Sequence, residues 1–127
     1  MDREKFEEYI AEAVAQVPAS VRNSIVNVAF VLEDDSRAAR QTEEEISVHG
    51  SLLGLYQGVS LPHRSVSYSG VLPDKITLFK HAIERTAGND PVRIRLLIHE
   101  VVHHEIAHYL GMDEDEVRAW EQRRKKR

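Results

Sequence analysis

The chain has 127 residues and a formal net charge of −4, with 42% hydrophobic and 30% charged residues. This length and composition predict a single domain, residues 1–127, with one modest core, and no apolar run approaches the ~18 residues of a membrane helix. Because the chain has no cysteine, disulfides and thiolate metal sites are excluded, and any metal must be bound by His, Asp or Glu.

The first third of the chain predicts one helix, one strand and one loop. Apolar residues at helical spacing predict a helix over residues 2–17, which Pro18 ends. The short, β-branched segment 24–32 predicts a buried strand. Residues 33–45 are polar and charged, which predicts a loop.

The middle of the chain alternates between turn signals and apolar segments. The segment LLGLYQGVSLPHR, residues 52–64, is interrupted by two glycines and a proline, which predicts an irregular, turn-rich stretch. Its inward-facing residues are expected to be Leu52, Leu55 and Tyr56. A short strand is predicted over 66–68, and the alternation in 75–80 predicts a half-buried strand.

The last third is predicted to be helical. A short helix is expected over 81–86. Asp90 followed by proline is typical of a helix start, and the long helix predicted over 91–110 breaks at Gly111. A final helix is predicted over 113–124, where an Asp and a Glu have the spacing of a capping box.

The predicted long helix contains two overlapping His-Glu-x-x-His frames, one starting at His99 and one at His104. On a helix, residues four apart lie on one face, so the two imidazoles of either frame can reach a single ion. His99 and His104 point about 140° apart, so the two frames cannot serve one site.

The residues that follow each frame decide between them. Gly111 breaks the helix three residues after His108, and the carboxylate of Glu114 follows three residues later. The corresponding positions of the first frame still lie inside the helix. The sequence therefore predicts that His104, His108 and Glu114 bind one metal ion, with Asp113 and Asp115 as alternative third ligands.

Two imidazoles and one carboxylate leave a fourth tetrahedral position for water, which favours Zn²⁺. A water bound there has a pKa of about 7, and Glu105 is placed to take its proton. The sequence thus predicts a zinc metallopeptidase that hydrolyses peptide bonds with a zinc-bound water and Glu105 as the general base. Its partner would be a peptide or protein substrate.

Several alternatives remain open at this point. The residue that adds a second oxyanion contact is not defined by the pattern, and the candidates are Tyr56, His63, Arg64, Tyr68 and Tyr109. The alternative function is a zinc-stabilised binding or regulatory module without significant proteolytic turnover. The basic run at 123–127 suits a solvated helix end, so neither nucleic acid nor membrane is expected as a partner. The N-terminus is charged and unlike a secretory signal, so a cytoplasmic location is expected.

The sequence resembles the minimal zincin-like metallopeptidases, a family long carried as a domain of unknown function. The resemblance covers nearly the whole chain, and its most specific segments are LLGLYQGVSLPHR, LPDKITLFKHAIE and HEIAHYLGMDEDEV. It implies an α+β fold in which a small mixed β-sheet packs on a long active-site helix, with N- and C-terminal helices. By similarity to zincins, an edge strand beside that helix would bind an extended peptide, and residues 75–80 are the candidate.

The family pattern is His-Glu-x-x-His-x-x-Gly-x-x-Asp. His104, Glu105, His108 and Gly111 match it, while Glu114 stands where aspartate is usual. The resemblance therefore implies the same metal site as the spacing does, with a longer side chain at the third ligand.

Overall fold

The structure, a computed structural model, describes residues 1–25, 27–35, 53–58 and 74–111, together with 115, 116 and 119. Its elements are, in chain order, α1 (Arg3–Ala15), α2 (Ala19–Ser24), β1 (Val28–Glu33), β2 (Gly54–Gln57), β3 (Asp74–Phe79), α3 (Lys80–Thr86) and α4 (Pro91–Tyr109). This combination of helices with a small mixed sheet is the predicted α+β class.

The three described strands form one sheet in the order β1-β3-β2. β1 runs parallel to β3 with Val28 opposite Asp74, and β2 runs antiparallel to β3 with Gly54 opposite Leu78. β3 is therefore the central strand, and all its residues except Lys75 are buried. The strand predicted over 75–80 is confirmed as β3. The expectation that it is half-buried and lies at an edge is wrong, because strands pair along both sides of β3.

The start of β1 also differs from the expectation. The strand predicted over 24–32 begins at Val28, because residues 19–24 form α2. Pro18, expected only to end α1, also begins α2, where its carbonyl oxygen accepts hydrogen bonds from the amides of Val21 and Arg22. The fixed φ of proline is compatible with a helix start.

β2 replaces the irregular stretch expected around residue 55. Leu55 is buried and Tyr56 is half-buried, so the prediction that these two residues pack inward is confirmed. The expectation of turns is wrong for Gly54, since this glycine pairs in the sheet.

The long helix α4 matches its prediction closely. The Asp90 side chain accepts a hydrogen bond from the amide of Val92 at 3.0 Å, and Pro91 occupies the first turn. The helix ends at Tyr109, and Gly111 follows with φ 86°. That backbone conformation is strained for other residues, which explains the break.

α4 is the element around which the described part of the chain packs. It contacts α1 on one side and both β2 and β3 on another. Ile98, Val102 and Ile106 have 0% exposure, and burial of each such side chain stabilises the fold by about 1.5–3 kcal/mol. Since both sides of α4 are packed in this way, its rotation about its own axis is fixed.

The remaining predictions have mixed outcomes. The helices expected over 2–17 and 81–86 are confirmed as α1 and α3, within two residues at each end. The loop of 33–45 beyond residue 35 and the strand of 66–68 lie outside the described residues. Of the last predicted helix the structure describes Asp115, Glu116 and Ala119, which are helical.

Candidate metal centre

The two His-Glu-x-x-His frames of α4 face different neighbours. The His99 ring lies against α1, with Nε2 2.8 Å from Glu12 Oε1 and Nδ1 3.0 Å from Gln16 Oε1. His103, only 1% exposed, donates a hydrogen bond from Nε2 to the Ala13 carbonyl oxygen at 2.8 Å. The first frame therefore joins α4 to α1, as expected for packing residues.

Arg95 completes this contact between the two helices. Its Nε donates a hydrogen bond to Glu12 Oε1 at 2.7 Å. Arg95 and, more weakly, His99 keep the pKa of the Glu12 carboxyl below its ordinary value, against the opposing effect of burial. The carboxylate in turn raises the pKa of Arg95. The side of α4 that faces α1 thus carries an ion pair.

The second frame brings its two imidazoles together. His104 Nε2 and His108 Nε2 are 3.1 Å apart, and the ring centroids are separated by 4.8 Å. Both histidines are half-buried and Glu105 is 9% exposed. One ligand atom from each of His104, Glu105 and His108 lies within 4.8 Å of the others. Among the described residues, this is the group of side chains that can hold a metal ion.

The separation of the two nitrogens fits a metal site. Two imidazole nitrogens bound to a tetrahedral zinc ion at about 2.0–2.1 Å lie about 3.3 Å apart. The observed 3.1 Å is close to this spacing, and it also suits a hydrogen bond between the rings when one of them carries the proton. Imidazole and carboxylate donors are ligands of zinc and of other first-row transition metal ions.

Glu105 lies on the side of α4 that faces away from α1, where β2 of the sheet packs. A Cβ atom at Gly54 of β2 would lie 3.4 Å from Glu105 Cγ and 2.5 Å from Val101 Cγ1. The backbone of β2 therefore lies directly on the side of α4 that carries Glu105. This contact is not predictable from the sequence, since a glycine flanked by leucines equally suits a turn.

The predicted third ligand is not part of the described structure. Glu114 and Asp113 lie outside the described residues, and Asp115 is exposed and helical. The choice among the three carboxylates therefore stays a prediction.

The structure assigns packing roles to two of the five oxyanion candidates. The Tyr56 hydroxyl donates a hydrogen bond to Asp74 Oδ2 at 2.9 Å, and its ring packs edge-on against Tyr109, with ring centroids 5.8 Å apart. Tyr109 is buried, and Asp74 is only 1% exposed. His63, Arg64 and Tyr68 lie outside the described residues.

Asp74 is a buried polar residue that the sequence analysis missed. A proline followed by an aspartate is typical of a turn, so Pro73 and Asp74 give no local indication of a buried strand residue. Its partner Tyr56 lies 18 positions earlier in the chain. No local pattern connects residues so far apart.

A long helix that carries two converging histidines and packs against a small mixed sheet is the arrangement of a zincin-like protein. Residues 25–124 match the zincin-like metallopeptidase family, and the chain belongs to this family. No curated protein matches the chain. Within the described residues, every helix is too short or too polar to span a bilayer.

Proposed function

We propose that this protein is a zinc-dependent metallopeptidase that hydrolyses peptide bonds. The observation that carries the proposal is the convergence of His104 Nε2 and His108 Nε2 to 3.1 Å, with the Glu105 carboxylate in the same group of ligand atoms. Membership of the zincin-like family supports the reaction class.

In this proposal His104 and His108 hold the zinc ion, and Glu114 supplies the third ligand. When bound, zinc supplies a Lewis acid that lowers the pKa of a coordinated water and polarises a substrate carbonyl. Gly111 has a positive φ directly after the end of α4, which lets the chain turn before the three candidate carboxylates, and Glu114 is preferred among them because it stands at the third-ligand position of the family pattern. Metal affinities of Glu114→Ala, Asp113→Ala and Asp115→Ala would rank them, and the largest loss is expected for Glu114.

Glu105 is the general base in this proposal. It accepts a proton from the attacking water and passes it to the amine that leaves. His104 and Glu105 are adjacent in the chain, so the base is fixed beside the metal by the same turn of helix. Because Glu105 is almost fully buried, its carboxylate acts in a place where water competes weakly for hydrogen bonds.

β2 replaces residues 75–80 as the candidate for binding an extended peptide. It is at one edge of the three described strands, and it lies beside Glu105 through Gly54. A peptide that pairs with this strand would run past the His104–His108 pair. N-methylation of single amides in a substrate peptide tests this, because it removes donors needed for strand pairing; unchanged KM at every position would contradict it.

The experiment that tests the function compares Glu105→Gln with Glu100→Gln. Glu100 is the equivalent residue of the first frame and is exposed, so it is a matched control. We expect wild type and Glu100→Gln to cleave peptides from a broad library. Glu105→Gln should keep its zinc and lose about 10²–10⁴-fold in rate.

Two results would argue against this function. Cleavage that survives in Glu105→Gln contradicts the role of the base. A wild-type protein that binds zinc and cleaves nothing supports the alternative, a zinc-stabilised binding module. The single-domain organisation and the cytoplasmic location remain predictions.

A further inference from the structure

Gly54 lies where β2 packs on α4. A Cβ atom at this position would lie 2.5 Å from Val101 Cγ1, 3.3 Å from the Thr77 carbonyl oxygen and 3.4 Å from Glu105 Cγ. The first distance is far too short for two carbon atoms that are not bonded. Val101 is buried, and its β-branched side chain has little rotational freedom in a helix. The two elements are thus closer than any side chain at position 54 allows.

This contact involves the residue that the proposed reaction needs as its base. Val101 and Glu105 are one turn apart on the same side of α4. The backbone of β2 lies over both of them: a methyl group added at Gly54 would overlap Val101 Cγ1 and be in van der Waals contact with Glu105 Cγ. The aliphatic stem of Glu105 is therefore confined on this side. A stem held in this way restricts the rotamers open to the carboxylate. The oxygen atoms of Glu105 then stay close to His104 and His108.

We propose that Gly54 is a positioning residue for Glu105. Its lack of a side chain lets β2 hold the stem of Glu105, so that the carboxylate stays directed to the metal position between His104 and His108. In this role Gly54 acts through Glu105, separately from any pairing of a peptide with the free edge of β2. The inference rests on the proposed function of Glu105 as the base.

Three variants test the inference: Gly54→Ala, Val101→Ala and the double variant. The added methyl group of Gly54→Ala must displace Val101 or move β2 away from α4. Val101→Ala removes Cγ1 and with it the 2.5 Å overlap, which leaves the methyl group 3.3 Å from the Thr77 carbonyl oxygen and 3.4 Å from Glu105 Cγ, so that only a shift of a few tenths of an ångström is needed. The double variant should therefore restore the native spacing, and Val101→Ala alone controls for the loss of packing.

The first measurement is peptide hydrolysis by the zinc-loaded proteins. A displacement of about 1 Å in a catalytic group lowers the rate about 10²-fold. We expect a loss of this size in kcat for Gly54→Ala, with full zinc content and little change in KM. The double variant should recover most of the loss. A merely structural role would lower stability and leave the kcat of the folded, zinc-loaded protein unchanged.

The second measurement does not depend on turnover. A small hydroxamate, such as acetohydroxamic acid, binds zinc through two oxygens and shares its proton with a neighbouring carboxylate. Loss of one charge-assisted hydrogen bond weakens binding about 10- to 100-fold. Gly54→Ala and Glu105→Gln should both show this loss by calorimetry, and the double variant should bind like wild type.

These outcomes separate the inference from the function on which it rests. If wild type cleaves no peptide, the proposed function fails, and hydroxamate binding still tests Gly54. Wild-type kcat and hydroxamate affinity in Gly54→Ala would overturn the inference. If Gly54→Ala does not fold, the double variant decides: recovery of kcat and hydroxamate binding supports the inference, and a folded double variant without either overturns it.

Discussion

Replacement of His103 by leucine tests whether the two histidine frames of α4 have separate tasks. His103 is 1% exposed and donates a hydrogen bond from Nε2 to the Ala13 carbonyl oxygen at 2.8 Å. Leucine fills a similar volume, so the packing between α4 and α1 is largely kept. The change removes the donor and leaves the metal pair, His104 and His108, untouched.

The expected cost follows from the hydrogen bonds of Ala13. An unsatisfied buried acceptor costs about 1–3 kcal/mol. The Ala13 carbonyl keeps a second hydrogen bond, from the Gln16 amide at 3.2 Å, so we expect the lower part of this range, about 1–2 kcal/mol. For a chain of 127 residues, with an unfolding entropy of about 0.27 kcal/mol/K, this lowers the melting temperature by about 4–7 °C.

The assay combines calorimetric unfolding with metal analysis of the same samples. His103→Leu should melt earlier than wild type and keep its zinc. His104→Leu, the matched control one residue further along α4, should lose the zinc. Loss of zinc from a folded His103→Leu protein, or an unchanged melting temperature, would refute the division of tasks between the frames.

Three further predictions concern the metal, the ion pair between α1 and α4, and the buried carboxylate. His108→Ala should lose zinc and the stabilisation that zinc provides, which is about 2.7 kcal/mol at a free concentration 100 times Kd; equal melting of wild type with and without chelator would argue against it. The lowered pKa of Glu12 means that its stabilising effect is present above its ordinary value of 4.5 and is lost as the pH falls through the lowered value. Between about pH 5 and pH 2, the melting temperature of Glu12→Gln should accordingly fall less steeply with falling pH than that of wild type. Equal slopes for the two proteins would contradict the pairing with Arg95. Tyr56→Phe removes a donor to the buried Asp74 and should cost about 1–3 kcal/mol in urea unfolding, while kcat is retained; a large fall in kcat without loss of stability would instead make Tyr56 an oxyanion donor.

The parts of this fold that were predictable from sequence are those determined by local chemistry. Asp90 and Pro91 mark the start of α4, because an aspartate oxygen satisfies a free amide there and proline needs none. The spacing of His104 and His108 follows from the helical repeat alone. The same helical repeat predicts that His99 points in a different direction from His104, and the structure places His99 against α1.

The order of the strands was not predictable in this way. Residues 75–80 alternate like a half-buried strand, yet β3 is central and buried, because β1 and β2 come from distant parts of the chain and pair on either side of it. Such contacts depend on which surfaces pack together in three dimensions. The alternation in one strand carries no information about its neighbours.

Gly54 illustrates the same limit at the candidate site. A glycine between apolar residues is consistent with a turn or with a close approach of two backbones. The choice depends on Val101 and Glu105, which lie 47 and 51 positions later in the chain. The metal pair was therefore visible in the sequence, whereas the strand that packs beside its proposed base was not.

Anomalous diffraction at the zinc edge, on crystals grown with zinc, tests the central claim most directly. The account predicts one strong peak within about 2.0–2.1 Å of the Nε2 atoms of both His104 and His108. A peak at the His99–Glu12 contact instead, or no peak between His104 and His108, would contradict it.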